Sequence, residues 1–355
     1  MWGIVSPCLI VVKATSLRYN LRMPMNENWN MLGHEWAVDL LKGHLANGRM
    51  RHAYLLTGPQ GVGRRTLALR VAQGLNCPQP TAPGFPCGSC HTCQRIERMQ
   101  HPDLVVVQAD EGSTTLKVDQ IRALQSGLAL APYEAPYKIA LLLRFEEANP
   151  NAANALLKTL EEPPRQVILF VTAQDTEALL PTIVSRCETI RLRPLALDVV
   201  SEGLHQKWEL PIEQARLLAH ISNGRPGHAL NLHNNPDALA NRQQWLDDHQ
   251  RLLSASRVER FRYAEQLAQD KTILKETLTI WMSLWRDILL HANGASAPHT
   301  NIDRESEIAH IAANIQPETA QFMLKLFNQT FLRLEQNTNT RLTIEVFMLD
   351  LPKIA

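Results

Sequence analysis

The stretch that decides the fold is Thr57-Gly58-Pro59-Gln60-Gly61-Val62-Gly63-Arg64-Arg65-Thr66. The apolar residues 53–56 before it predict a buried strand, and residues 67–72 after it predict a helix. This is the setting of a phosphate-binding loop, in which glycines let backbone N–H groups curl around phosphates at a helix N-terminus. The spacing from Gly58 through Gly61 to Gly63 matches that loop. On this stretch alone, a glycine-rich turn unrelated to phosphate is the open alternative.

The two residues after the last glycine depart from the motif. Arg64 stands where a lysine reaches the β- and γ-phosphates, and Arg65 stands where a serine or threonine holds Mg²⁺. Because a guanidinium has no acceptor atom, it cannot ligate a cation. The sequence therefore predicts a degenerate loop that keeps its architecture and lacks its metal ligand. Binding of a nucleotide or another anion without hydrolysis stays open.

The whole chain has 355 residues, which predicts two or three domains. Its formal net charge is +1, so it has no strong electrostatic footprint for nucleic acid, and any DNA contact is local or shared with partners. No apolar run reaches the roughly 20 residues of a membrane span. We interpret residues 1–24 as a non-native or disordered extension rather than a signal peptide, with Met25 as the natural start.

Four of the six cysteines lie within one short segment and predict a metal site. They are Cys77, Cys87, Cys90 and Cys93. Four soft thiolates brought together by C-x₂-C turns suit a tetrahedral structural Zn²⁺ site with no open position. An iron–sulfur cluster is the alternative, because C-x₂-C-x₂-C also occurs in ferredoxins, but nothing else in the sequence suggests electron transfer. Clustered rather than spread cysteines also favour a cytoplasmic location over an oxidising one.

Further apolar runs predict four more strands, at residues 104–107, 138–144, 167–171 and 188–192. The strand at 138–144 occupies the place where a nucleotide-hydrolysing P-loop protein carries an acidic pair for Mg²⁺ and the attacking water. Those positions are held by Leu143 and Arg144. Glu146 and Glu147 follow, but we expect their side chains to point elsewhere, because they lie beyond the end of the strand.

Five apolar strands that alternate with helices predict an α/β fold with a doubly wound, mostly parallel sheet. From Pro194 onward the pattern is helical only. A small helical unit is expected up to the linker around residue 236, and a helical bundle follows it. Trp281 and Trp285 belong to one apolar stripe of that bundle and are expected in its core.

Two further runs add specificity to this pattern. They are Asn154-Ala155-Leu156-Leu157-Lys158-Thr159-Leu160-Glu161-Glu162-Pro163-Pro164 and Ser185-Arg186-Cys187. Together with the four cysteines and the opening Gly33-His34-Glu35, these runs resemble the delta-prime subunits of bacterial DNA polymerase III clamp loaders, which are AAA+ proteins related to the gamma/tau subunits. The resemblance is specific over residues 28–193, weaker over the next helices and only architectural beyond them.

The resemblance implies a domain organisation and a set of partners. It implies an AAA+ domain at 25–193 with an inserted zinc module at 77–93, a helical lid at 194–236 and a helical collar at 237–355. It implies partnership with gamma/tau and delta in a ring-like complex that loads the sliding clamp (beta) onto primed DNA. In that family delta-prime is a stator without ATPase activity, within a DNA-directed DNA polymerase holoenzyme, and ATP is bound by a neighbouring subunit.

The departures from the gamma pattern fit a stator. Besides the loop and the missing acidic pair, Pro226-Gly227 stands where gamma carries its sensor-2 arginine. The resemblance makes Arg186 an arginine finger that acts in trans on the neighbour's ATP; the alternative is that Arg186 only pairs with a carboxylate. The competing function is a gamma/tau-like motor that hydrolyses ATP with degenerate ligands. A zinc-dependent DNA-binding protein is disfavoured by the near-neutral charge.

Overall fold

The computed structural model describes residues 27–110, 112–336 and 338–354. The interpretation of residues 1–24 falls outside this part of the chain. Contacts group the chain into two compact units, one that ends at Leu195 and one that begins at Ala196. The finer division of the second unit into a lid and a collar stays a prediction.

The first unit is built on one sheet of five parallel strands. The strands are β1 (Ala53–Thr57), β2 (Leu104–Val107), β3 (Lys138–Leu142), β4 (Val167–Ala173) and β5 (Glu188–Arg191). Their order in the sheet is β2-β3-β4-β1-β5. Because helices cover both faces, β1, β3 and β4 are buried at every residue. The predicted α/β fold with a parallel sheet is confirmed.

One helix precedes the first strand, and the other helices of this unit lie between the strands. They are α1 (Glu35–Ala46), α2 (Arg64–Asn76), α3 (His91–Glu97), α4 (Val118–Leu128), α5 (Pro150–Glu161) and α6 (Pro181–Val184). Alternate residues of β1 enter two separate cores: Tyr54 and Leu56 pack in one with Trp29, while Leu55 packs in the other with Phe145. The sheet therefore divides the apolar side chains of the unit between its two faces.

The second unit consists of helices, as predicted. They are α7 (Leu197–Trp208), α8 (Ile212–Ile221), α9 (Pro226–Asn234), α10 (Pro236–Ser254), α11 (Arg257–Leu267), α12 (Lys271–Ala292), α13 (Glu305–Ala313), α14 (Pro317–Glu335) and α15 (Thr340–Asp350). Trp281 and Trp285 of α12 are fully buried beside Phe327 and Phe347, which confirms their predicted place in the core. Within the described residues, no helix is both long and apolar enough to cross a membrane.

Candidate functional site

Helix α2 joins the two sites that the sequence singled out. Its N-cap is Gly63, the last glycine of the phosphate-loop stretch, and its C-cap is Cys77, the first of the four clustered cysteines. The loop follows β1, which lies between β4 and β5 in the sheet. One helix therefore carries a loop of P-loop pattern at its start and a cysteine cluster at its end.

The glycines of the loop are required by backbone geometry. Gly58, Gly61 and Gly63 have φ angles of 137°, 84° and 118°. Side chains other than hydrogen rarely tolerate this region. At Gly58 an added Cβ would also collide with the backbone carbonyl oxygen of Leu192. The Gly58 N–H donates to the carbonyl oxygens of Ala173 (3.2 Å) and Gln174 (2.9 Å), which anchors the loop at the carboxyl end of β4.

Arg64 and Arg65 have different environments. Arg64 is only 7% exposed, and its buried Nη1 makes no hydrogen bond to any residue that the structure describes. Burial lowers the pKa of Arg64, the nearby Glu146 opposes that shift, and Arg144 adds to it. Arg65 is exposed. Neither side chain offers an acceptor atom, so the start of α2 supplies no ligand for a cation from these two positions.

The acidic residues after β3 lie in a short turn. Strand β3 ends at Leu142, two residues before the predicted end at Arg144. Arg144 then adopts a left-handed conformation with a φ of 50°, and a short 3₁₀ turn, Phe145–Glu147, follows. The negative charge of Glu146 in this turn opposes the lowering of the Arg64 pKa. The expectation that Glu146 points away from the loop stays a prediction, although the residue lies in a turn and not in a straight continuation of the strand.

The second acidic residue remains tied to its own turn. Arg144 and Glu147 form an ion pair with a closest N···O distance of 3.3 Å. Within the described chain, Oε2 of Glu146 and Oε2 of Glu147 are buried without a hydrogen bond. Burial raises the pKa of Glu147; the charge of Arg144 opposes this shift, and the charge of Glu146 adds to it. Carboxylate oxygens are thus present near the loop, but they come from the turn after β3 and not from its end.

His34 supports the loop from the other side. This residue is 4% exposed, and its Nε2 lies 3.0 Å from the carbonyl oxygen of Val62, so it acts as the donor there. Burial lowers the pKa of His34 despite this hydrogen bond and the nearby Glu35. In the sequence, His34 stands out only as part of the run Gly33-His34-Glu35. Its contact with the loop joins positions 28 residues apart, which no local pattern reveals.

The four predicted cysteines come together. The Sγ atoms of Cys77, Cys87, Cys90 and Cys93 all lie within 4.8 Å of one another, and those of Cys77 and Cys87 are 3.6 Å apart. Zn–S bonds of about 2.3 Å place the sulfurs of a tetrahedral site about 3.8 Å apart, so this cluster has suitable dimensions. The four thiols are therefore compatible with a zinc ion.

Backbone N–H groups donate to sulfurs of this cluster and stabilise the thiolate of Cys87, whereas burial raises the pKa of the Cys90 and Cys93 thiols. The N–H of Cys90 donates to Sγ of Cys87 (3.3 Å), and the N–H of Cys93 donates to Sγ of Cys90 (3.4 Å). Burial alone would raise the pKa of the Cys87 thiol, but hydrogen bonds from Cys90 and Ser89 outweigh it and lower this pKa to about 6. The donor set suits a soft cation that binds deprotonated sulfur. Cys90 is the N-cap of α3 and Cys93 lies in its first turn, and this helix was not predicted from the sequence.

An ion pair and a hydrogen bond join helix α2 to helix α3 next to the cluster. Nη2 of Arg70 lies 3.2 Å from Oε1 of Glu97, and Nε of Arg70 donates to the carbonyl oxygen of Trp29 (2.8 Å). Gln73 donates through Nε2 to the carbonyl oxygen of Cys93 (2.8 Å). Arg70 and Gln73 are both buried. These contacts hold the cysteine segment against α2 independently of any metal.

Arg186 forms an ion pair at the surface of the first unit. Its Nη2 lies 2.8 Å from Oε1 of Glu161, and its Nη1 donates to the carbonyl oxygen of Thr182 (3.0 Å). The two charged side chains are 36% and 51% exposed. The carboxylate pairing considered from the sequence is therefore present in this chain. In the second unit, Pro226 opens α9, and Nε of the preceding Arg225 donates to the carbonyl oxygen of Ser222 (2.6 Å).

Part of this chain is similar in sequence to subunits of DNA polymerase III. Residues 33–196 match the family model described as DNA polymerase III, delta subunit. DNA polymerase III subunit delta' of Bacillus subtilis (strain 168) is 36% identical over 186 residues, which are 52% of this chain and 55% of that protein. The Pseudomonas aeruginosa subunit delta' is 38% identical over 187 residues, 51% and 56% of the two chains. The tau subunit of Escherichia coli (strain K12) is 34% identical over 175 residues, 49% and 27% of the two chains.

The matched segment is limited, and solved structures add little to it. The chain spans about half the length of the curated delta' relatives that it matches. A gamma subunit-related protein of DNA polymerase III from Thermotoga maritima superposes with a TM-score of 0.43 at 16% identity, over 88% of this chain and 97% of that one. That score is too low to decide the fold. The resemblance to the delta-prime subunits of bacterial DNA polymerase III is therefore confirmed by sequence over residues 33–196.

Proposed function

We propose that this chain is a non-hydrolysing stator subunit of a DNA polymerase III clamp loader. With gamma/tau and delta subunits it would load the sliding clamp onto primed DNA. The observation that carries this proposal is the start of α2, where the glycine geometry of a P-loop is retained but Arg64 and Arg65 replace the phosphate-binding lysine and the Mg²⁺ ligand. The sequence similarity to delta' over residues 33–196 supports the assignment.

The cysteine cluster would hold a structural Zn²⁺ through Cys77, Cys87, Cys90 and Cys93. Four sulfur ligands leave no position for a water, so the ion would stabilise the fold and not take part in chemistry. Its location between the C-cap of α2 and the first turn of α3 supports a role in fixing those two helices. Arg70 and Gln73 would keep the helices in place while the metal binds.

Arg186 would act on an ATP molecule bound by a neighbouring gamma/tau subunit. Its present pairing with Glu161 is exposed, and ion pairs of that kind contribute only about 0–1 kcal/mol. Exchanging Glu161 for a γ-phosphate would therefore cost little. A guanidinium stays charged and presents a planar fork of donors, which suits the developing charge of phosphoryl transfer.

The competing function is a gamma/tau-like motor with degenerate ligands. Glu146 favours it, because this carboxylate lies near Arg64 and has a buried oxygen without a hydrogen bond among the described residues. In such a motor, Glu146 would replace the acidic pair missing from the end of β3. The absence of a hydroxyl at position 65 opposes this function, since Mg²⁺ would lose its usual ligand from the loop.

The purified chain, alone and assembled with its cognate gamma and delta subunits, tests these functions. We expect no ATP turnover by the chain alone. Arg186→Ala should leave melting temperature and assembly unchanged and should lower the DNA- and clamp-stimulated ATPase per assembled complex. Arg122→Ala, which removes another exposed arginine paired with a carboxylate, is the matched control. Turnover by the chain alone that Glu146→Gln abolishes would establish the motor, and unchanged ATPase per complex in Arg186→Ala would remove the finger.

A further inference from the structure

The run Ser185-Arg186-Cys187 is held in place by its backbone. Its three N–H groups donate to carbonyl oxygens of α6 at 2.9, 3.1 and 3.3 Å. The side chain of Cys187 packs against the core that contains Phe145 and Leu156. The backbone on both sides of Arg186 is therefore fixed, and the side-chain torsions and hydrogen-bond partners of Arg186 set the position of its guanidinium.

Two acceptors from different helices hold this guanidinium. Nη2 of Arg186 lies 2.8 Å from Oε1 of Glu161, the last residue of α5, and Nη1 donates to the carbonyl oxygen of Thr182 in α6 (3.0 Å). The hydroxyl of Ser185 donates to the same carbonyl oxygen (3.2 Å). Both terminal nitrogens of Arg186 therefore have an acceptor within the chain.

The carboxylate of Glu161 occupies a donor group that a phosphate would need. A guanidinium binds carboxylates and phosphates through the same planar fork of N–H groups. The side chains of Arg186 and Glu161 are both partly exposed, so an anion can reach the pair from solvent. Such an anion would meet the negative charge of Glu161 beside the fork, and like charges repel. A phosphate and the Glu161 carboxylate therefore compete for Arg186.

We propose that Glu161 regulates the availability of Arg186: it holds the guanidinium within the chain until the γ-phosphate of ATP on a neighbouring gamma subunit displaces it. This inference rests on the proposed function of Arg186 as an arginine finger. The carbonyl oxygen of Thr182 carries no net charge, so it orients the guanidinium without repelling a phosphate. Because an exposed ion pair is weak, the phosphate releases it easily, and the pair lowers the fraction of available Arg186 by at most about fivefold.

The test measures how much bound ATP strengthens the binding of the full chain to the purified gamma subunit. The dissociation constant is determined without nucleotide and with Mg²⁺ and a non-hydrolysable ATP analogue, and the affinity gain is the first value divided by the second. Arg186→Ala should lower this affinity gain, because the interface loses the guanidinium that contacts the γ-phosphate. A merely structural contribution of the ion pair would affect both dissociation constants equally and would leave the affinity gain unchanged.

Glu161→Gln should raise the affinity gain by about two- to fivefold, because the amide keeps the shape and an acceptor oxygen but lacks the charge that retains Arg186. The rise should be absent when Arg186→Ala/Glu161→Gln is compared with Arg186→Ala alone, since Glu161 acts only through Arg186. Glu162→Gln, at the neighbouring exposed position, is the matched control and should leave the affinity gain unchanged. The melting temperature of Glu161→Gln should equal that of the wild-type chain, because the Glu161 side chain is exposed.

Each outcome decides the inference. An unchanged or lower affinity gain in Glu161→Gln, together with a lower one in Arg186→Ala, overturns the role of Glu161 and leaves the arginine finger in place. An affinity gain that Arg186→Ala does not lower overturns both. A rise that persists in the Arg186→Ala background would show direct repulsion between Glu161 and the phosphate, and an equal rise in Glu162→Gln would show a general effect of surface charge. Either result overturns the inference.

Discussion

The two ends of helix α2 differ in what they have kept. At its start, Gly58, Gly61 and Gly63 have positive φ angles and the spacing of a phosphate-binding loop, but arginines occupy the two positions after the last glycine. At its end, the donors for a metal are all present and their sulfur atoms lie within 4.8 Å of one another. The first site has a shape without its ligand chemistry, and the second has both.

This difference shows that backbone shape and ligand chemistry are separate properties of a site. Glycines at positive φ are needed for the loop to connect β1 to α2, whatever the loop binds. The first turn of α2 also contains no acidic residue and carries Arg64 and Arg65, although the helix dipole disfavours cations at an N-terminus. The glycine pattern thus indicates how the chain folds, and the ligand atoms of a site indicate what it can bind.

The largest effect is expected at the metal end. Cys90→Ser should release the metal and lower the free energy of unfolding of the first unit by about 3 kcal/mol or more, because ligand binding and local folding are coupled. Metal analysis and thermal unfolding measure both changes. Cys187→Ser is the control, because Cys187 lies outside the cluster. Purified protein without zinc, or with the visible absorbance of an iron–sulfur cluster, would contradict the zinc assignment.

Gly58→Ala tests whether the glycine loop at the start of α2 is needed for the fold. The added methyl group would collide with the carbonyl oxygen of Leu192 at a φ of 137°, so we expect a loss of about 3 kcal/mol in the free energy of unfolding. Gly127→Ala in α4 is the control, since its Cβ would have no neighbour within 4 Å, and it should gain about 0.5–1 kcal/mol. Denaturant unfolding compares the two. A tolerated Gly58→Ala would show that the loop is not needed for the fold.

Two buried arginines of α2 sharpen the comparison further. Arg70→Met should lower the free energy of unfolding by about 3 kcal/mol, because the mostly buried carboxylate of Glu97 loses its ion-pair partner and keeps only the hydrogen bond from Gln73. Arg64→Met should be neutral or stabilising by about 1 kcal/mol, since the buried Nη1 of Arg64 has no hydrogen bond within the described residues. Chemical denaturation of both variants gives the two values. A large decrease in the free energy of unfolding of Arg64→Met would mean that the Arg64 side chain has a structural partner.

The smallest effect concerns pH at the loop. Burial lowers the pKa of His34 below its ordinary value of 6.5, so the unfolded chain takes up this proton first as the pH falls. The stability that His34 contributes is therefore complete above about pH 6.5 and is lost towards acid, by less than about 2 kcal/mol at pH 5. His34→Gln should remove this part of the pH dependence. Equal slopes of unfolding free energy against pH in both proteins would rule out this role.

Local patterns in the sequence were sufficient for the main elements. All five strands of the sheet were identified from the sequence. For β1, β3 and β4 the reason is that a strand buried on both faces is apolar at successive residues. The spacing of four cysteines in a short segment identified the cluster, because C-x₂-C turns bring sulfurs together wherever they fold. The three glycines of the loop identified the turn into α2, because few other residues adopt those φ angles.

Only the tertiary structure decided the contacts between residues that are far apart in the chain. Arg144 adopts a left-handed conformation with a φ of 50° and opens the turn that carries Glu146, and no propensity of single residues predicts that turn. The carboxylate of Asp103 accepts a hydrogen bond from the backbone N–H of Tyr133, 30 residues away. In the sequence, Asp103 is an ordinary acidic residue before a strand. The sequence determined where strands, turns and metal donors lie, because those depend on local sterics and spacing. Packing in the folded chain decides which polar side chains are buried and which groups they bind by hydrogen bonds.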